Sequence, residues 1–322
     1  LIQLTNIKML PVYLDLTNAR ALGDAICATP TIKKLFESYE RKINVISQYP
    51  EIFKNNPYVD RNYLSNAINI DYIKENFIYH NSFHNIGKKN EFGVELKHNN
   101  IDIRQFHAIM LGFMLSPYEM ECYYKPDEFK PIDNLPEKYV LIHPVQTWPS
   151  RTWSPENWML LTKMLNEKGI HVVSVGKDSS EVGFFNIDKP IFNFEIELGL
   201  NLMNKTDISQ AYHLIQNSLA FVTMDSGLLH LAGTTDAEII QLGSSIKPEF
   251  RIPYRQGSQQ YKYNYITGGC NLACASDMKH GVREWGTVQG IAPLIGCLEN
   301  KPSFECQPTV IQIYNRILEL YG

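Results

Sequence analysis

Two successive runs of alternating apolar strand and helix, separated by a proline-rich stretch, constrain this chain more than any other feature. In the first run, residues 10–16 (Leu-Pro-Val-Tyr-Leu-Asp-Leu) read as a strand. Residues 25–39 read as a helix, with Pro30 tolerable only in its first turn, and Ile43–Ser47 as a second strand. Residues 60–100, rich in Asn, Tyr, Ile and Lys, give no clear order, and 103–115 read as a further helix. Residues 116–138 then hold Pro117, Pro126, Pro131 and Pro136, which marks them as the linker. In the second run, Tyr139–His143 is a strand, and Ser154 and Pro155 supply the N-cap and first position of a helix. Trp158, Leu161 and Leu165 fall on one face of that helix, and Gly169 ends it. A strand at 171–175, a short helix at 207–217, a strand–turn–helix at 219–233 and a strand at 237–243 follow.

Alternation of this kind, in a chain long enough at 322 residues for two domains, predicts an α/β protein of two doubly wound, Rossmann-like domains. The boundary is read at residues 130/131, giving domains 1–130 and 131–322. Ligands of such sheets bind beyond the carboxyl ends of the strands.

Charge and hydropathy exclude several partners. The 30 basic and 34 acidic residues nearly balance, so no nucleic-acid-binding field is expected. No apolar run reaches the roughly 18–20 residues that span a bilayer, and the first residues lack the basic-then-apolar form of a leader. The expectation is a cytoplasmic protein with at most peripheral membrane contact.

Three loops at predicted strand ends carry residues suited to chemistry on one anionic ligand. The first, 20–24, ends on Gly23 and Asp24, whose carboxylate can take a proton from a hydroxyl or simply cap a helix. The second, 145–153, holds Arg151, which can pair with phosphate oxygens or lie on the surface; Thr147 and Ser150 are further donors, and Trp148 and Trp153 read equally as packing. The third is Asp225-Ser226-Gly227. Asp225 is expected to shape the loop by accepting backbone N–H bonds, leaving Ser226 and Gly227 to meet phosphate, with His230 nearly on the same helix face. An ordinary capped strand–helix turn is the plainer reading of this third loop, and a packed side chain that of His230.

Taken together, these residues resemble glycosyltransferase family 9, the heptosyltransferases of lipopolysaccharide synthesis and their relatives. The matching stretches are Arg20-Ala-Leu-Gly-Asp-Ala-Ile-Cys-Ala-Thr-Pro30, Asn56-Pro-Tyr-Val-Asp60, Trp153-Ser-Pro-Glu-Asn-Trp158, Asp225-Ser-Gly-Leu-Leu-His-Leu-Ala232 and Gln241-Leu-Gly-Ser. The resemblance implies a GT-B fold, two Rossmann-like domains facing a cleft, with a terminal helix expected to pack on the first domain. It implies inverting transfer of a sugar, heptose among the candidates, from a nucleotide-sugar such as ADP-heptose to a hydroxyl of a glycan or protein acceptor. Asp24 matches the family's general base, and Arg151, Ser226, Gly227 and His230 its contacts to the donor diphosphate. Thr206 matches a position near the nucleoside, while Glu195 and Glu197 are the candidates for a ribose contact. No catalytic cofactor is implied. A nucleotide-sugar epimerase and a non-catalytic sugar-nucleotide-binding protein remain open as other readings.

Four of the six cysteines, Cys270, Cys274, Cys297 and Cys306, cluster near the C-terminus. Two local pairs of thiolates can make a tetrahedral site for structural zinc or iron, with free thiols or disulfides as the alternatives. This region is also similar to family members that glycosylate bacterial autotransporters, some of which are iron-binding oligomers, so a homo-oligomer is expected.

Overall fold

A computed structural model describes residues 10–82, 101–144, 149–177, 199–255, 257–274, 276 and 304–321. The chain forms two compact units, Leu1–Lys125 with Tyr254–Gln256, and Pro126–Pro253 with Gly257–Gly322. Local bonds explain the division at Lys125/Pro126. The Lys125 carbonyl accepts from Asn55 Nδ2 at 3.1 Å, and Tyr123 N–H donates to Thr29 Oγ1 at 2.9 Å, both inside the first unit. Two residues later the Asp127 carbonyl accepts from Ser209 Oγ and His213 Nε2, each at 3.0 Å, inside the second.

The first unit carries β1 (Val12–Asp15), α1 (Leu22–Cys27), α2 (Thr29–Tyr39), β2 (Ile43–Ser47), α3 (Pro50–Phe53), β3 (Val59–Leu64), α4 (Ile70–Asn76), β4 (Ile78–Asn81) and α5 (Ile103–Ile109). Its strands form a parallel sheet in the order β3-β2-β1-β4. β1 and β2 are buried along their whole length, as strands covered on both faces must be. The single helix read at 25–39 is two helices broken at Ala28, with Pro30 in the first turn of the second. Proline has no N–H to donate to the ladder of a continuous helix and its ring clashes with the preceding turn, so the chain restarts there. The helix read at 103–115 stops at Met110, and Gly112 takes φ +80° just beyond. Asp102 caps it, accepting from Arg104 N–H at 2.8 Å, and also binds the buried Arg104 guanidinium. That guanidinium lies 4.5 Å from the ring centre of Tyr254, from the short segment that returns to this unit.

The second unit carries β5 (Tyr139–His143), α6 (Pro155–Glu167), β6 (His171–Gly176), β7 (Leu200–Met203), α7 (Ile208–Gln216), β8 (Ala220–Thr223), α8 (Gly227–Ala232), β9 (Ile239–Leu242), β10 (Tyr263–Ile266) and α9 (Val310–Tyr321). Its parallel sheet runs β10-β9-β8-β5-β6-β7. Counted from its own first strand this is the doubly wound order 3-2-1-4-5-6, with the reversal between β5 and β8. α6 begins as read: Ser154 Oγ accepts from Asn157 N–H at 3.2 Å, and Trp158, Leu161 and Leu165 are buried. Trp153 meets Trp158 edge to face, 4.8 Å between centres at 88°.

The last helix contributes to the core of the second unit. Val310, Ile313 and Ile317 of α9 lie in the second unit's own core with Trp153, Trp158, Leu161 and Leu165. Their spacing makes one apolar stripe, and α6 supplies the matching surface. No helix among the described residues is long and apolar enough to cross a membrane.

Candidate active site

The two switch points of these sheets hold the polar groups. In the first unit the reversal falls between β1 and β4, where Asp15 pairs in register with Asn81. Asp15 is 2% exposed and accepts from Thr17 N–H at 2.8 Å, Asn81 Nδ2 at 3.2 Å and the Tyr79 hydroxyl. Burial, with the bond to Asp15 adding, drives the Tyr79 hydroxyl well above the usual phenol range, so it stays a donor. These bonds make Asp15 the tie between the strand ends.

Asp24 sits after that tie, in the first turn of α1. Burial raises the Tyr49 hydroxyl, and the Asp24 charge raises it further, which puts the phenol within electrostatic reach of the carboxylate. Tyr49 itself donates to the Arg20 carbonyl at 3.0 Å and so holds the loop that leads into α1. Gly23, read as shaping that loop, lies inside α1 and is buried.

In the second unit the reversal places His143, the last residue of β5, in register with Thr223, the last of β8. The loops that follow bring Arg151, Asp225 and Ser226 together. Arg151 Nε donates to the Asp225 carbonyl at 3.0 Å, joined there by its Nη2, and approaches Asp225 Oδ2 at 3.3 Å. Arg251, in the turn that follows residues 248–250, approaches the same Oδ2 at 3.4 Å. Asp225 and Arg251 are 2% and 3% exposed, so their charges must be met locally. At these distances each ion pair is worth about 5 kcal/mol before desolvation, using an effective dielectric near ~20. Arg251 received no signal from the sequence reading, because nothing local in Glu249-Phe250-Arg251 marks it as facing Asp225.

Ser226 is N-cap to α8 by backbone but makes no capping bond. Its hydroxyl instead meets His143 Nδ1 at 3.1 Å and Thr223 Oγ1 at 3.2 Å, and His143 Nδ1 is 3.0 Å from Thr223 Oγ1. Burial pushes His143 down to about 3, so the imidazole is neutral at ordinary pH. The loop carrying Asp225 is therefore pinned from below by a neutral histidine. Gly227 and His230 lie on α8, where His230 is buried. With six residues, α8 is too short for its dipole to dominate, and the arginines carry the positive charge of this site.

Neighbouring loops close around the same strand ends. Ser150 Oγ and Ser245 Oγ lie 2.7 Å apart, both buried. A Cβ on Gly243 would sit 2.2 Å from the Cys306 carbonyl oxygen, and one on Gly268 2.1 Å from that of Gln307, so both loops require glycine to approach residues 305–307. Tyr265 of β10 is pushed up to about 12, first by burial, then by the charges of Cys306, Asp225 and Glu249. Thr206 lies between β7 and α7, half-buried, before Asp207 caps α7 through Gln210. Three strand spacings separate β7 from β8, about 14 Å along the sheet.

The predicted metal ligands are only partly in view. The Cys270 N–H donates to the Glu305 carbonyl at 3.1 Å, which lays the 270–274 segment beside Cys306. Cys270, Cys274 and Cys306 are not joined in disulfides, and no group of three or more His, Cys, Asp or Glu among the described residues is arranged to hold a metal. Cys297 lies outside the described residues, as do Thr147, Trp148, Glu195 and Glu197.

Comparison with known proteins extends this geometry. The profile of glycosyltransferase family 9 (heptosyltransferase) matches residues 95–270, more than half of the chain. The chain is 30% identical over 105 residues to lipooligosaccharide heptosyltransferase 2 of Haemophilus influenzae, covering 33% of this chain and 30% of that protein. It spans about a third of the length of the curated relatives it matches. Among solved structures, the iron-containing dodecameric glycosyltransferase TibC from enterotoxigenic E. coli superposes with a TM-score of 0.69 at 14% identity, over 97% of this chain and 76% of TibC. TibC in complex with ADP-D-β-D-heptose, described as a heptosyltransferase, matches with a TM-score of 0.67 at 15% identity, over the same shares. The two parallel-sheet α/β units are thus those of the GT-B fold.

Proposed function

The chain belongs to glycosyltransferase family 9, and on that premise we propose that it transfers a sugar, with inversion, from ADP-heptose to an acceptor hydroxyl. The observation that carries this reading is the pair of arginines on Asp225 at the switch point of the second sheet. With Asp225 ionised, the three side chains sum to one positive charge, at the place where such sheets hold nucleotides.

In this reading Arg151 pairs with the donor diphosphate and stabilises it as it departs. Ser226, Gly227 and His230 line the diphosphate, Asp225 and the loop it anchors set their position, and Thr206 lies by the nucleoside. The distance of about 14 Å from β7 to β8 suits an extended nucleoside diphosphate. Asp24 takes the proton of the acceptor hydroxyl. A carboxylate is a weak base in the ground state, but it can accept this proton as the hydroxyl acidifies in an oxocarbenium-like transition state.

Four thiolates from Cys270, Cys274, Cys297 and Cys306 form a chemically suitable set for structural zinc or iron. The bond between Cys270 N–H and the Glu305 carbonyl, which sets two parts of that set side by side, supports the assignment. The metal has no step in transfer. A glycan or a protein supplies the acceptor hydroxyl, and further copies of the chain are expected partners, as in the dodecameric TibC.

The test combines binding with transfer. ADP-heptose should bind the wild type, and mass spectrometry should detect heptose added to a lipopolysaccharide-core or protein acceptor. Asp24→Asn should lower transfer by a hundredfold or more, on the order of a general base's contribution, with donor affinity within about threefold. Near-normal transfer by that variant would remove Asp24 from the base role. An isomerised donor formed without acceptor would replace transfer by epimerisation.

A further inference from the structure

We propose that Arg251 is a positioning residue for donor binding: it remains as the counter-ion of Asp225 while Arg151 turns from that carboxylate to the donor diphosphate. The inference rests on the donor reading above.

Two guanidiniums approach one oxygen, Asp225 Oδ2, at 3.3 and 3.4 Å, yet they are held differently. Arg251 is fixed. Its side chain is 3% exposed, its Nη1 donates to the Phe250 carbonyl at 2.9 Å, and its N–H donates to the Pro248 carbonyl at 2.8 Å. Arg151 has a side chain that is 16% exposed, and its Nε, at 3.0 Å, and its Nη2 both donate to the Asp225 carbonyl and not to the carboxylate. Its contact to the carboxylate is thus charge proximity rather than a second Nε hydrogen bond, and such a contact can be exchanged for a phosphate oxygen. A buried carboxylate stripped of its cation is strongly disfavoured. The exchange is open to Arg151 because Arg251 stays behind. If Arg251 is removed, Asp225 draws Arg151 to itself and the diphosphate must compete with the carboxylate.

A residue that merely stabilises the turn at 248–251 would not give this pattern of effects. Calorimetric titration with ADP and with ADP-heptose, and steady-state kinetics, separate the two. Arg251→Gln should weaken binding of both ligands at least tenfold, about 1.4 kcal/mol, and raise donor KM alike, with kcat at saturating donor within threefold. Arg251→Lys, which restores a cation, should bind within threefold of wild type. Adding Asp225→Asn to Arg251→Gln removes the competing carboxylate and should recover most of the lost affinity. Binding by Arg251→Gln weakened less than threefold, a loss confined to kcat, or a double variant no better than the single one would each overturn the proposal. Should Arg251→Gln fail to fold, a folded Arg251→Lys with tenfold weaker binding overturns it equally. A wild type that binds neither ligand refutes the donor reading itself; a wild type that binds while Arg251 variants bind equally well refutes only this inference.

Discussion

Acidification from pH 7 to pH 5 should cost the second unit about 2 kcal/mol of stability through His143 alone. Burial holds this imidazole at about 3 in the folded chain. In the unfolded chain it returns to about 6.5. Between these values the unfolded state binds a proton that the folded state does not, so stability falls as pH falls, by about 1.4 kcal/mol per pH unit once below ~6.5. The range from pH 7 to pH 5 lies wholly above the folded value, so the unfolded chain alone sets the slope. Trp153 and Trp158 are buried in the core of the second unit, so their fluorescence during urea unfolding follows that unit.

The informative quantity is the difference between wild type and His143→Asn. The amide can still meet the hydroxyls of Thr223 and Ser226, which lie 3.0 and 3.1 Å from His143 Nδ1, but it does not titrate. The variant should be the less stable protein at pH 7, by roughly 1–3 kcal/mol. Other titrating groups act on both proteins and cancel. The gap should therefore close by about 2 kcal/mol between pH 7 and pH 5, because only the wild type loses the His143 contribution. A gap constant within about 0.5 kcal/mol would mean that His143 gains its proton in the folded state, and the neutral support under Ser226 would be refuted.

Two further outcomes test the surroundings. Gly268→Ala places a Cβ 2.1 Å from the Gln307 oxygen and 2.6 Å from that of Glu305, both main-chain atoms, so the strand-end loop must move by more than an ångström's worth of contact. The expected destabilisation is about 1–3 kcal/mol in the same urea assay, and a change under about 0.5 kcal/mol would show that residues 305–307 do not pack there. Elemental analysis of protein purified without chelator should find about one zinc or iron per chain, lost on Cys270→Ser or Cys306→Ser. Folded, metal-free wild type would leave the cysteines as plain thiols.

Much of the fold was legible because its signals are local. The apolar run 139–143 and the Ser154-Pro155 start of α6 need only neighbouring residues, and the structure builds both as read. Where the signal is weak or distant, the reading falls short. β7 and β10 have four residues each at the two edges of the second sheet, with no fully buried apolar run to announce them. Ser226 lies where its sequence placed it, at the start of α8, but its hydroxyl turns to a histidine 83 positions away. Arg251 was missed for the same reason: its partner is chosen by the meeting of two loops, which no short pattern encodes.

The C-terminal segment shows how a feature outside the site sets the geometry within it. Arg151 sits in a short turn at residues 149–151, a poor anchor by itself. The next residues are held from the far end of the chain: Gln307 Nε2 donates to the Thr152 carbonyl at 3.0 Å, and Trp153 Nε1 to the Pro308 carbonyl at 2.9 Å. Residues 305–307 are clamped in turn by the glycine loops after β9 and β10, and α9 drives its apolar stripe into the core behind Trp153. The same few residues thus pack against the Arg151 turn on one side and β10 on the other. This explains why α9 belongs with the second unit: its apolar stripe and the strand ends it supports are parts of one core. The backbone beside Arg151 is thus held at Thr152 and Trp153, so the proposed exchange between carboxylate and phosphate would ask only its side chain to turn.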